Sequence, residues 1–339
     1  MSSVEKNSDM AAETGLCRIG AHCFRAAEIG AADQAEVLRL FTAAFGHSPD
    51  TGWHAWKYGG GVGEAIGLWN EEGHLAAHYA GFPRELRWQG APVRAIQIGD
   101  VMVAPEVRGL LTRKGPLFQV CSRFFNGRVG DGKAYRLAFG FPNERHIRLG
   151  VALGLYHDAG IIHQLSWPAQ RGKLPFGWRW EPLDGEKLVP RVERAWRSMS
   201  KDFAAYVLGV RDADFIRRRF LNRPDRQYRI FSLRRWPLGG VAAVVVMHIE
   251  PGRAELLDVI GARTAFPAAV RAAVAEAARN GARELTAWAS PAALAVFRET
   301  HAEVTGKAAH LAVARASALT DGEVAAAPWW WMGGDTDFL

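Results

Sequence analysis

Cysteine is scarce in this chain. Cys17, Cys23 and Cys121 are the three among 339 residues, and none stands in a CxxC pair. That spacing excludes a disulfide-framed scaffold and a zinc knuckle, and no metal is expected. Long apolar runs are missing as well. The stretch GGVAAVVVMHI at 239–249 falls well short of the roughly 18 residues that a membrane helix needs. The N-terminal MSSVEKNSDMAAETG has neither an apolar core nor a cleavage pattern, so no secretory signal is read there. A cytoplasmic protein without a membrane partner is therefore expected.

Core material is plentiful, with 49% hydrophobic and 23% charged residues. This is an ordinary globular composition, and 339 residues suit two domains better than one. The formal charge of +7 favours an acidic partner or a polyanionic cofactor. Arginine far outnumbers lysine and alanine is abundant, as genome composition alone can produce. The charge is therefore not taken as a nucleic-acid signature, and nucleic acid is not the expected partner.

Periodicity divides the chain into two runs of the same order, two helices, three strands, then helix, strand, helix and strand. Residues 1–20 read as a flexible leader. Asp33 and Glu36 form a capping-box pattern ahead of Val37, Phe41, Ala44 and Phe45 at helical spacing, which predicts a helix over 33–45. GWHAWKYGG predicts a second short helix. Strands are expected at 63–69, 74–88, 92–104, 134–140 and 155–163, with helices at 116–126 and 143–153. Residues 166–190, rich in Pro, Gly and Trp, read as a connector packed against something. The order then begins again. Helices are expected at 191–208 and 211–221, and strands at 228–236, 240–249 and 253–260. A helix at 266–280, a strand at 283–289, a helix at 291–300 and a strand at 303–315 follow.

The chemistry concentrates in GDVMVAPEVRGLLTRKGPLF, 99–118, where a glycine-punctuated basic loop joins a strand to a helix. Glycines let backbone amides approach a ligand closely, and a helix start gathers amides suited to an anion. Pro116 fits the first helical position. Val103, Pro105, Arg108 and Gly109 match, residue by residue, the pyrophosphate turn V-x-P-x-x-R-G-x-G of the GNAT superfamily of acyl-CoA-dependent N-acyltransferases. The usual second glycine falls near Leu111, where this loop carries LLT instead. FGFPNERHIRLGVALGLY, 139–156, resembles the second GNAT signature: a strand, Asn143, a helix, and Gly154–Leu155 at a GF-like pair.

The resemblance covers roughly 25–165, and 190–315 by element order. It implies an α/β fold (an α+β mixed sheet) made of two tandem GNAT-like acyl-CoA N-acyltransferase domains. Residues 21–165 would be the acyl-CoA-binding domain, 166–190 a connector, 191–318 a second, degenerate domain, and 319–339 a Trp-rich tail. It also implies acetyl-CoA or another acyl-CoA as co-substrate, lying between two splayed parallel strands, and an amine acceptor that attacks directly. Arg108, Gly109, Arg113, Lys114 and Gly115 would cradle the phosphates. Backbone around Met102 and Val103 would meet the thioester, and Asn143 the pantetheine arm unless it only caps its helix. Asp100, a carboxylate among apolar residues in IQIGDVMV, is the candidate base, against a bland role as a partner of backbone or arginine. GNAT enzymes often carry an acidic Tyr in the helix after the Asn. Leu149–Gly150 stand there, leaving His146 and Tyr156 as acid candidates. His78 and Tyr79 lie mid-strand, so only one of the two can face an acceptor pocket.

Three further features have competing readings. Arg211, Arg217, Arg218, Arg219, Arg223, Arg226, Arg229, Arg234 and Arg235 form either a polyanion strip or, interleaved with Asp212, Asp214 and Asp225, solvated faces and ion pairs. The strip would serve RNA if the chain were an aminoacyl-tRNA-dependent transferase of the same fold; a non-catalytic binding module is the other rival. PWWWMGGDTDFL reads as a buried latch, or as a carrier of catalytic carboxylates. LDVIGARTAFPAAVRAAV, 257–274, matches the cofactor loop in position, but its turn has only Gly261 and Arg263 before bulky Phe266–Pro267, so a single cofactor per chain is expected.

Overall fold

The computed structural model of the protein describes residues 15–19, 22–49, 51–109, 111–237 and 239–339. Most of the expected leader thus lies outside the described residues, except that Leu16–Ile19 form a strand, β1. The chain divides into two compact units. Unit 1 holds residues up to Pro83, Arg94–Asp158 and Ala312–Thr320; unit 2 holds Arg84–Val93, Ala159–Leu311 and Asp321–Leu339. The units do not part at 166–190.

In unit 1, β1 pairs with β2 (His22–Glu28), and two helices follow, α1 (Gln34–Phe45) and α2 (Thr51–Tyr58). Then come β3 (Glu64–Trp69), β4 (Leu75–Trp88), β5 (Ala91–Val103), α3 (Pro116–Arg128), β6 (Leu137–Gly140) and α4 (Glu144–Ala152). The sheet runs in sequence order from β1 to β6. β5 and β6 are parallel; the next strand, β7 (Tyr156–Pro168), leaves the unit after Asp158. The place beside β6 is taken by the end of β14 (Glu303–Ala314), with Gly140 opposite Ala312.

Local chemistry explains the helices. Val37, Leu40 and Phe41 bury one stripe of α1 against Trp53. The capping box is not used as the spacing suggests. Asp33 accepts from the Gly30 amide at 2.7 Å, while Glu36 accepts from Arg39 and from the Leu75 amide at 2.9 Å, tying α1 to β4. Tyr79 faces the core of the unit, with Phe124 and Phe125 on α3 edge-on to its ring. Gly150 is required on α4, because a Cβ there would meet the Tyr156 ring at 2.0 Å.

In unit 2 the expected connector contributes β8 (Trp178–Pro182). After it come α5 (Leu188–Asp202), β9 (Val207–Gly209), α6 (Ala213–Ile216) and a π turn over Arg217–Leu221. β10 (Arg229–Arg235), β11 (Val241–Glu250), β12 (Arg253–Gly261), α7 (Phe266–Arg279), β13 (Glu284–Ala289) and α8 (Pro291–Phe297) follow. The sheet order is β8-β10-β11-β12-β13-β7-β14. Again a parallel pair, β12 and β13, is followed by an antiparallel strand, here β7, with Leu285 opposite Trp167. Each unit therefore repeats one motif and completes it with a strand from the far part of the chain.

The tail is packed in unit 2. After α9 (Asp321–Ala326), β15 (Trp329–Trp330) pairs with β9, and Trp329, Trp330, Trp331 and Met332 are all buried. Asp335 is fully buried and accepts from Arg211 Nη2 at 2.5 Å, from Arg84 Nη2 at 3.1 Å and from the Met332 amide at 2.9 Å. Arg211 also grips Asp258 at 2.9 and 3.0 Å. Arg219 and Arg223 donate to main-chain oxygens of the tail, including that of Leu339 at 2.7 Å from each. Three arginines of the strip are thus clamps on 333–339.

Burial pushes the Asp258 carboxyl up to about 6, with Asp335 adding to the rise and Arg211 pulling against it. An unfolded Asp titrates near ~3.9. The folded state takes up this proton first, so the group adds stability as pH falls from about 6 toward ~4, and loses it as pH rises again. Thermal melts of Asp258→Asn should lack this component. An unchanged pH profile in that variant would show that another group carries it.

Candidate active site

β5 and β6 pair only over Ala95–Ile98 and Leu137–Gly140. Beyond Gly140 the chain turns through Phe141–Asn143 into α4, while β5 runs on to Val103. The two parallel strands therefore part at Gly99, and Asp100 stands just inside the opening. Its backbone is left-handed, φ +48°, a conformation that non-glycine residues adopt rarely and Asp and Asn most readily.

Asp100 is held from the α2 side. Its carboxylate accepts from Lys57 Nζ at 2.8 Å and from the Tyr58 hydroxyl at 2.6 Å, and its carbonyl lies 2.8 Å from His78 Nδ1 on β4. The Lys57 and Asp100 side chains are only 3% and 9% exposed. The Lys57 ammonium also lies 4.3 Å from the Trp53 ring centre and 4.9 Å from that of Phe82. Tyr58 is half-buried. Because Nδ1 of His78 faces a carbonyl, it carries the proton, and Nε2 is left as a buried atom without a partner among the described residues. Burial holds the His78 and His54 rings below the usual histidine pKa. His78 and Tyr79 point to opposite faces of β4, and it is His78 that faces the Asp100 cluster.

The expected anion cradle leads into α3. Its N-cap is Gly115, which offers no side chain, and Pro116 stands at the first position. The first-turn amides of Leu117 and Phe118 have no partner within the helix, so they are open to an external acceptor. Arg113 and Lys114 are exposed just ahead of them, with no carboxylate paired to either among the described residues. Gly115 donates its own amide to Thr112 at 2.8 Å, closing the turn. Gly109 is exposed, with open space where a Cβ would stand. Arg108 has a different task. Its guanidinium donates to the carbonyls of Val103 at 2.8 Å and Ala44 at 3.1 Å, fastening the loop to β5 and to the end of α1.

The remaining expected site residues fall in three places. Met102 is buried and Val103 half-buried on the free stretch of β5. Asn143 caps α4, its Oδ1 accepting from the His146 amide at 2.9 Å. His146 is half-buried on the first turn of α4, where burial lowers its pKa. Tyr156 lies in the core, not at the opening: its hydroxyl meets that of Tyr79 at 2.7 Å and Cys121 Sγ at 3.4 Å. Burial, with Cys121 beside it, pushes its pKa well above 10. Lys57 and Tyr58 were missed as site residues. WHAWKY reads from sequence only as a helix, and nothing in it signals a carboxylate more than forty positions on.

The corresponding loop of unit 2 is closed. Between β12 and α7 a single turn, Arg263–Ala265, replaces the long loop. The Arg263 amide donates to the Asp202 carboxylate at 3.0 Å, and Phe266 is fully buried.

Strand parting, glycine-capped helix and basic loop stand where the GNAT resemblance leads one to expect them. Residues 25–147 match the family model described as acetyltransferase (GNAT) domain. A GCN5-related N-acetyltransferase from Anabaena variabilis is similar in structure, with TM-score 0.66 and 15% identity over 86% of this chain and 72% of that one. A GCN5-related N-acetyltransferase from Kribbella flavida gives 0.61 and 18%, over 86% and 71%. Saccharomyces cerevisiae N-myristoyltransferase with bound myristoyl-CoA gives 0.54 and 11%, over 86% and 82%. No curated protein matches the chain by sequence. Residues 25–147 thus match a GNAT acetyltransferase domain model, and the chain shares its fold with these solved acyltransferase structures.

Proposed function

We propose that the protein is an acyl-CoA-dependent N-acyltransferase, transferring acetyl from acetyl-CoA to an amine by direct attack. The observation that carries this is the opening between β5 and β6 beside the uncapped start of α3, within the segment that matches the acetyltransferase domain. The CoA pyrophosphate sits on the amides at the start of α3, with Arg113 and Lys114 beside it and Gly109 and Gly115 shaping the turn. Arg108 holds the loop. Met102, Val103 and Asn143 line the acyl-pantetheine arm.

The chemistry belongs to Asp100 and Tyr58. The amine nitrogen forms its bond to the thioester carbonyl carbon, and Asp100 accepts the proton that nitrogen sheds. As the C–S bond breaks, Tyr58 gives its proton to the thiolate and recovers one from Asp100, 2.6 Å away. Lys57 keeps the carboxylate in place. The clamped arginines of unit 2 favour this reading over an RNA-dependent one, since Arg211, Arg219 and Arg223 are taken up by the tail.

Mass spectrometry of the protein incubated with acetyl-CoA and an amine library tests the proposal. Acetylated product supports it; product with only longer acyl-CoA corrects the donor; no transfer with any overturns it. Calorimetry should find one CoA per chain, because the unit 2 loop is closed. Replacing Arg113 and Lys114 together by Ala should weaken binding by about 1–3 kcal/mol. Two equivalent sites, or unaltered affinity in the double variant, would move the cofactor elsewhere.

A further inference from the structure

The segment preceding β8 has no part in this chemistry, yet it carries the most exposed large apolar side chain described, Phe176 at 95%. The loop is built rather than slack. The Trp178 amide donates to Pro175 at 3.3 Å and the Trp236 amide to Gly177 at 2.9 Å. Trp236 itself is 50% exposed. The loop and the β8 edge border an open depression of about 650 Å³. Around the apolar tip stand Arg171, Lys173 and Arg179, all exposed, and no carboxylate pairs with them among the described residues.

Two occupants fit an aromatic and basic surface, a single nucleic-acid strand or an anionic lipid surface. A strand needs free aromatic faces on which bases stack. Here the two β8 tryptophans each have a face taken, so no run of stacking platforms is offered. Trp178 is covered by the Arg235 guanidinium at 3.9 Å, and Trp180 is stacked on Phe231 at 4.7 Å and 14°. What remains free is a Phe at the tip of a Pro–Phe–Gly turn, with a half-exposed Trp behind it and cations around it. An apolar tip inserts below the headgroups, Trp prefers the interface, and Arg and Lys meet the phosphates. We infer that the protein docks on anionic lipid bilayers through the 171–179 loop and Trp236, a peripheral contact that needs no membrane-spanning segment.

Co-sedimentation of the full chain with vesicles tests this. Binding is expected to phosphatidylcholine vesicles containing phosphatidylglycerol, little to phosphatidylcholine alone, with weakening as salt rises. Phe176→Glu should reduce the affinity about tenfold or more, and Arg171→Glu with Lys173→Glu should do the same. These side chains are solvent-exposed, so melting temperatures should not change. Absence of binding at low salt, or full binding by both variants, would overturn the inference. An oligothymidylate that binds more tightly than the vesicles, and loses affinity in Phe176→Glu, would assign the surface to nucleic acid instead.

Discussion

Asp100→Asn is expected to lower both stability and turnover, and the two losses are separable. In the folded protein Lys57 is 3% exposed, between Trp53 and Phe82, with the Asp100 carboxylate at 2.8 Å. Removing the negative charge takes the ion-pair partner from a buried ammonium, at a cost of about 3–5 kcal/mol. Asn is the right probe because it tolerates the left-handed backbone at this position, φ +48°, whereas Ala would add strain. Adding Lys57→Met should return much of the lost stability, since the buried ammonium goes with it. Activity should not return. Proton transfer contributes about 10²-fold or more, and neither variant has a carboxylate to take the proton. Denaturant melts with steady-state rates, taken where each variant is folded, check both parts. A stable Asp100→Asn protein with wild-type turnover at neutral pH would remove Asp100 from the chemistry and from the fold's support alike.

Truncation before Trp329 should have the larger structural effect. Trp329, Trp330, Trp331 and Met332 are each 4% exposed or less, and burying one such side chain contributes about 1.5–3 kcal/mol. Their sum approaches the whole stability of a typical domain, about 5–15 kcal/mol. The cut also leaves Arg84, Arg211 and Arg219 buried without tail acceptors. We expect a truncated chain that does not fold cooperatively, and Asp335→Asn alone to cost about 3–5 kcal/mol. Calorimetric melts decide. A truncated protein with an unchanged melting temperature would mean that the tail is not packed. A stable truncated protein without turnover would return Asp335 and Asp337 to the catalytic reading.

The sequence was most legible where local rules act. Apolar runs between turn residues marked β4 and β5, and Pro116 with the preceding glycine marked the start of α3, because turns and helix entry depend on near neighbours. Asn143 announced its cap for the same reason. Legibility failed where the partner is remote. The apolar residues of 303–315 show a strand without showing which strand it meets. Arg211, read as a solvated or polyanion-binding residue, is buried by two carboxylates 47 and 124 positions away. At the candidate site the glycine-punctuated basic loop and the helix after it were readable, yet the Arg108 side chain turns back to two carbonyls and Tyr156 turns into the core. Which way a long side chain points depends on tertiary packing, to which spacing along the chain is blind.

The pairing of Gly140 with Ala312 also sets a schedule for synthesis. Long-range pairings fold slowly, because loop closure must precede the contact that rewards it. A nascent chain released as far as α8 holds every residue of the 99–118 loop but not the strand that closes the sheet beside β6. Unit 1, though encoded mostly first, therefore reaches its native topology only after nearly the whole polypeptide has left the ribosome. Until then the open edge of β6 is exposed to wrong strands, a hazard that chaperone binding would cover.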